Sequence, residues 1–376
     1  MTDRITPKQI KKANRQLVYD YVYRERRVSR QDIGDALCLS RPTVTASLAE
    51  LEADGLVYRS GQQDSEQLGR KAATYSAAAE YRVAIGVELM RHAAEIIAVD
   101  LYGQAVRRQL LPLPYENTAH YYQTLCQAIL TFIRDGGLAP RQLLGIGFAV
   151  PGLVSSDGSC VVYGAILGNT GLSVDVLSGR LPCPCRFLHD AESAALSELW
   201  ASPELQNAVY VSLSRHLGGA MITDRQVHAG KHGHNATFEH IQVRPGGSLC
   251  YCGRRGCLET VCSMQALLGD EPPEAFFDAV RSGDPTANDR WQCYLRALGR
   301  MLGALHLVRD VDIVLGGHLA PFLIQADIHC LYREIRGMSP FGEAEDFIRI
   351  SKMPSHNITV GAALPYIKAF LSDPLA

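Results

Sequence analysis

Cys250, Cys252 and Cys257 fall within eight residues of one another, and His240 precedes the first of them by ten. Thiolates and an imidazole at this spacing are the donor set of a tetrahedral Cys3His zinc site, with Gly253 and Gly256 supplying tight turns between the sulfurs. Four protein ligands close the coordination sphere, so no position remains for an activated water and the expected Zn2+ is structural rather than catalytic. Cys262 follows outside that spacing and reads as a bystander thiol. The chain carries 11 cysteines in all. Its first residues, MTDRITPKQIKK, lack the apolar core of a signal peptide, so a cytoplasmic protein with reduced thiols is expected.

A second constellation is Phe187-Leu-His-Asp-Ala-Glu-Ser-Ala-Ala195, where Asp190 would open a helix after a strand. A carboxylate so placed is either a general base for a hydroxyl or a hydrogen-bonding group for a bound ligand.

These groups need elements to position them. Leu143–Val150 is an apolar run that enters Pro151-Gly152, Tyr81 to Asp100 alternates as a hairpin, and Thr118 to Arg134 has helical periodicity. Continued alternation of strand and helix to the C-terminus predicts α/β architecture. The first 77 residues differ. Ile10, Ala13, Leu17, Tyr21 and Val22 place an apolar stripe on a helix opened by Pro7. Ser29 to Asp32 caps a short second helix with Ile33, Ala36 and Leu37 inward, and Cys38-Leu39 makes the turn. Ser40 caps a third helix whose inner face is Val44, Leu48 and Leu51. Its opposite face offers Arg41, Thr43, Thr45 and Ala46 to a major groove, and Arg70 and Lys71, beyond the hairpin tip Gly61 to Gly69, suit a minor groove. This is the pattern of a winged helix-turn-helix.

With these residues the chain resembles the ROK family of repressors, open reading frames and sugar kinases, over its whole length and most specifically in HIQVRPGGSLCYCGRRGCLE, His240 through Glu259. The resemblance implies a winged helix-turn-helix (1–77) followed by a two-lobed, actin-like (ribonuclease H-like) sugar-kinase fold (78–376). The smaller lobe would be about 78–187 plus the C-terminal helix, and the larger about 188–356. It also implies that His240, Cys250, Cys252 and Cys257 bind the family's structural zinc, and that Gly152, His189, Asp190, Thr237, His240 and Glu259 border a sugar pocket. Thr237 and Glu239 stand where the family has a sugar-binding glutamate and a glycine, and His189 where it has asparagine. The kinases' phosphate loops are replaced by Glu88-Leu-Met-Arg-His92 and Ser214-Arg-His-Leu-Gly-Gly219, while Gly316-Gly317 persists as a turn. Without those cradles Asp190 is assigned to ligand binding, and the body is expected to be catalytically inactive.

Composition agrees with this division. At 376 residues, two to three domains are expected, and 47% hydrophobic with 20% charged residues excludes disorder and fibrous classes. Residues 1–77 carry 13 Lys and Arg against 10 Asp and Glu, a charge of +3, and the remainder carries 24 against 29, or −5. No apolar stretch approaches a membrane span. The expectation is a cytoplasmic, sequence-specific regulator, chiefly a repressor of carbohydrate-utilisation genes. Its partners would be a palindromic double-stranded operator and a sugar or sugar-phosphate effector, bound by a homodimer or dimer of dimers. The alternatives are an ATP-dependent sugar kinase with an appended DNA-binding domain, and a body that docks a transport or signalling protein.

Overall fold

The computed structural model describes residues 6–62, 72–341, 346–353 and 357–375. The N-terminal head begins with α1 (Pro7–Glu25), capped reciprocally by Thr6 and Gln9 with proline at a position that needs no N–H donor. Its buried residues are Val18, Tyr19 and Val22. Ile10 and Leu17 are about half exposed and Ala13 is exposed, so the helix is rotated from the stripe that periodicity predicts. The rotation has a cause. Arg15 must face the third helix, where it pairs with Glu50 and Asp54, and the last turn must face the body.

After β1 (Val28–Ser29), Ser29 and Asp32 form the expected capping box of α2 (Arg30–Leu37). Ile33 is buried, Leu37 is half-buried and Ala36 is exposed, because eight residues present only a narrow inner face. Cys38 closes the helix in a left-handed conformation at φ 53°. α3 (Arg41–Ala53) is capped by Ser40 and buries Val44, Leu48 and Leu51 completely. β2 (Val57–Gln62) and β3 (Ala73–Ala77) complete an antiparallel sheet in the order β1-β3-β2.

The body repeats one sheet topology twice, as expected of an actin-like fold. In the first sheet, β4 (Val83–Leu89), β5 (Ala94–Val99) and β6 (Ala105–Leu111) form an antiparallel meander. After α4 (Ala119–Asp135), β7 (Leu143–Val150) pairs parallel to β4. The short pair β8 (Leu153–Val154) and β9 (Val161–Tyr163) and α5 (Asp175–Ser178) lead to β10 (Cys185–His189), parallel to β7. α6 (Asp190–Ala201) then crosses to the second sheet. There β11 (Ala208–Leu213), β12 (Leu217–Thr223) and β13 (Gln226–His228) are the meander. The helices α7 (Glu259–Cys262), α8 (Met264–Leu268), α9 (Pro273–Ser282) and α10 (Pro285–Val308) precede β14 (Asp312–Gly316), parallel to β11. α11 (Gln325–Arg336) precedes the parallel edge strand β15 (Ile348–Ile350).

The C-terminal helix α12 (Asn357–Ser372) lies directly on backbone. A Cβ at Gly86 would stand 1.7 Å from the Thr359 carbonyl oxygen, and one at Gly361 would stand 1.7 Å from that of Ser193 in α6. Only glycine permits such contact, so α12 is clamped between the first sheet and α6. Among the described residues no helix is long and apolar enough to cross a membrane.

Candidate functional site

The loop from His240 to Cys257 folds back on itself through local backbone bonds. Cys250 N donates to Arg254 O at 2.8 Å, Gly253 N to Cys250 O at 2.9 Å, and Val243 N to Gly256 O at 2.8 Å. Gly256, at φ +73°, also needs its missing side chain, since a Cβ there would meet the Arg244 carbonyl oxygen at 1.6 Å. One donor atom each of His240, Cys250, Cys252 and Cys257 consequently lies within 4.8 Å of every other. Cys252 Sγ and Cys257 Sγ are 3.7 Å apart, as are Cys250 Sγ and His240 Nδ1. Tetrahedral zinc with Zn–S near 2.3 Å has edges of about 3.6–3.8 Å, so the donors fit that ion without rearrangement. Cys262 lies apart in the core and is fully buried.

Beside this loop is a narrow cleft between the lobes. Its walls include Gly152, His189, Asp190, His216, Glu239, His240 and Tyr251. Gly152 is tightly required, because a Cβ would sit 2.6 Å from the Tyr163 carbonyl oxygen. His189 Nε2 stands 3.1 Å from Asp190 Oδ1. The other two expected pocket residues are placed differently. Thr237 turns its hydroxyl to the His234 carbonyl at 3.1 Å and is not among the lining residues, because the 3-10 turn Phe238–His240 redirects the chain. Glu259 stands behind the wall, accepting from Leu217 N at 2.8 Å and lying 2.8 Å from His216 Nδ1, which it orients. The carboxylate that reaches the cleft at this end belongs to Glu239. Burial, with Glu259 and Asp190 near, pushes its pKa up to about 8. The sequence signal was a glutamate in place of glycine.

Asp190 also borders an adjoining space of about 320 Å3 walled by Glu88, Met90, Arg91, His92, Arg215 and His318. Arg91 Nη2 donates to Ile166 O at 3.0 Å across its mouth. Glu88, bonded to the Thr359 hydroxyl at 3.1 Å, is pushed up to about 7 by burial and by Asp190. A carboxyl raised in the folded state stabilises fully below its ordinary value of 4.5, and that stability is lost as pH rises through about 7. Glu88→Gln should therefore raise the melting temperature at pH 8 but scarcely at pH 5. With partial exposure allowed for, the effect is on the order of 2 kcal/mol. Scanning calorimetry at the two pH values checks this, and equal shifts at both would refute it.

On the head, Arg41, Thr45 and Ala46 are exposed along α3. Thr43 is half-buried, with its hydroxyl 2.8 Å from the capping Ser40 Oγ, so the cap engages it. Arg70 and Lys71 lie outside the described residues.

A contact that sequence reading missed joins head to body. Tyr23 stacks on Tyr102 with centroids 4.6 Å apart and donates to Leu101 O at 2.7 Å, while the Arg26 guanidinium lies 3.3 Å from the Tyr102 ring centroid. Tyr102 O accepts from Trp200 Nε1 at 2.8 Å. Trp200 is near the end of α6, the helix that begins at Asp190. Phe370 and Leu371 of α12 also pack against the head, and Lys12 pairs with Asp373 at 3.2 Å.

The profile of the ROK family matches residues 84–335, and that of the crp family of bacterial regulatory proteins matches 27–57. The DNA-binding transcriptional dual regulator NagC of Escherichia coli (strain K12) is 29% identical over 332 residues, covering 82% of this chain and 81% of that protein. The xylose repressor of Bacillus subtilis (strain 168) is 26% identical over 264 residues, 69% of this chain and 68% of that one. A solved ROK family transcriptional regulator, a homologue of the E. coli MLC protein, aligns with a TM-score of 0.71 at 24% identity over 97% of this chain and 98% of its own. The ROK glucokinase of Streptomyces griseus, solved with glucose and AMPPNP, aligns with a TM-score of 0.65 at 21% identity over 75% and 98%. The chain belongs to the ROK family and is one of its transcriptional regulators.

Proposed function

We propose that this protein represses carbohydrate-utilisation genes from the cytoplasm, and that a sugar or sugar-phosphate effector held between the lobes controls its grip on DNA. The observation that carries this reading is α6. It begins at Asp190 on the cleft and ends beside Trp200, which holds the turn on which Tyr23 and Arg26 of the head rest. An effector that prefers one lobe separation shifts α6, and a shift of α6 re-aims α3. As a homodimer the protein would carry two such heads and read a palindromic operator.

The residues of the former kinase site support an inactive body. Met90 and Arg91 stand where a nucleotide's phosphates would need bare backbone, and Ser214, Arg215 and His216 fill the second loop. Gly316 and Gly317 are explained by packing, since Cβ atoms there would meet Tyr210 Oη at 2.0 Å and Ser214 Oγ at 2.5 Å. Asp190 then binds ligand, with Gly152, His189 and His240 beside it. Zn2+, held by His240 Nδ1 and the thiolates of Cys250, Cys252 and Cys257, would supply a fixed cross-link for the wall that carries Glu239, His240 and Tyr251.

Electrophoretic retardation of the DNA upstream of its own operon, with and without sugars, tests the proposal. Arg41→Ala should weaken the complex at least about tenfold, as expected for loss of a base or phosphate contact of about 1–3 kcal/mol. No retardation by the unaltered protein under any condition would remove the reading. Sugar-dependent ADP formation is expected to be absent.

A further inference from the structure

We infer that the effector presents a primary ammonium group to Glu239, which makes the ligand class an amino sugar, free or phosphorylated, rather than a neutral or N-acetylated hexose. This rests on reading the cleft as the effector site and names what that site selects.

Glu239 is 6% exposed, it lines the cleft, and its Oε2 has no hydrogen-bond partner among the described residues. A buried carboxylate oxygen without a donor is costly, and such atoms persist where a ligand completes them. A structural role beside the metal ligand accounts for only half the group. Oε1 stands 3.7 Å from His240 Nε2, beyond hydrogen-bonding distance, and Oε2 is left over. The surroundings set the sign of the partner. Asp190 lines the same cleft, no lysine or arginine does, and Glu259 lies close behind. This end therefore disfavours an anionic group and favours a cationic donor.

Size sharpens the choice. The free volume at this end is about 40 Å3, room for two or three waters or one small substituent, and too little for an acetamido group. The sugar ring would lie in the adjoining 320 Å3, which shares Pro151, Ile166, Asp190 and His216 with it. Arg91 and Arg215 border that space and would accept a phosphate on the same molecule. Free amino sugars and their phosphates thus share the recognised chemistry.

Isothermal titration of the full-length, zinc-replete protein separates these cases. The probes are glucosamine, galactosamine and mannosamine, each beside its N-acetyl form and parent hexose, and all of them again as 6-phosphates. At least one amine should bind about tenfold or more tightly than its acetylated and neutral counterparts. Glu239→Gln should abolish that preference with zinc content unchanged, and Glu239→Gly, which opens the wall, should admit the acetylated form. Equal or tighter binding of neutral or acetylated sugars, or a preference that survives in Glu239→Gln, would overturn the inference while leaving effector control standing. Failure of every sugar to bind or to change operator retardation would overturn both.

Discussion

Cys257→Ser should strip the metal from the protein and melt the loop that it ties. Zinc held by a preformed four-donor set contributes its binding energy to folding, so the loss is expected on the order of 3 kcal/mol or more. Among the four donors Cys257 is fully buried, so a serine there can neither coordinate well nor reach water. Elemental analysis should find one zinc per chain in the unaltered protein and much less than one in the variant. Calorimetry should show a fall in melting temperature that a chelator reproduces on the unaltered protein. Tyr251 packs edge-on against both His240 and His216, at 5.1 and 5.4 Å between centroids, so ligand affinity should fall as well. Protein purified without zinc and fully stable would refute the assignment.

Trp200→Ala should separate the two halves of the protein's behaviour. The indole donates to Tyr102 O, and a Cβ on Gly103 would stand 2.4 Å from the same indole nitrogen, so helix and turn are in direct contact. Without the indole, movement of α6 no longer reaches the platform beneath Tyr23 and Arg26. Effector binding at Asp190, read by titration, should stay within a few-fold of normal, whereas the effector's influence on operator affinity should vanish. Coupling between sites of about 1–3 kcal/mol corresponds to a 5- to 150-fold change in affinity, and that is the response at stake. Trp200→Phe, which keeps the packing but not the donor, should retain part of it. A full response in Trp200→Ala would exclude α6 as the route and leave α12, through Phe370 and Leu371, as the remaining contact.

Features whose causes are local are legible in the amino-acid sequence alone. The capping box of Ser29 and Asp32, the cap of Ser40 and the strand Leu143–Val150 depend on neighbours a few residues away, and they stand where expected. The four donors from His240 to Cys257 belong to the same class, because glycine-permitted turns close that loop within itself. Periodicity identifies α1 as a helix but not its rotation, since the partners of Arg15 and Tyr23 come from α3 and from the body. Motif position likewise points to Thr237 and Glu259, whereas a single 3-10 turn moves Thr237 aside and brings Glu239 to the cleft.

The amino-acid sequence by itself determined the two parts of this protein, the order of their elements and the chemistry available to each, because propensity, capping and short-range turns are encoded residue by residue. Only the tertiary structure decided which carboxylate faces the cleft and how the zinc-type loop, Asp190, Trp200 and Tyr23 lie along one path. Those relations join residues far apart in the chain, and close packing, in which backbone touches backbone at Gly86 and Gly361, leaves α6 and α12 a single way to fit.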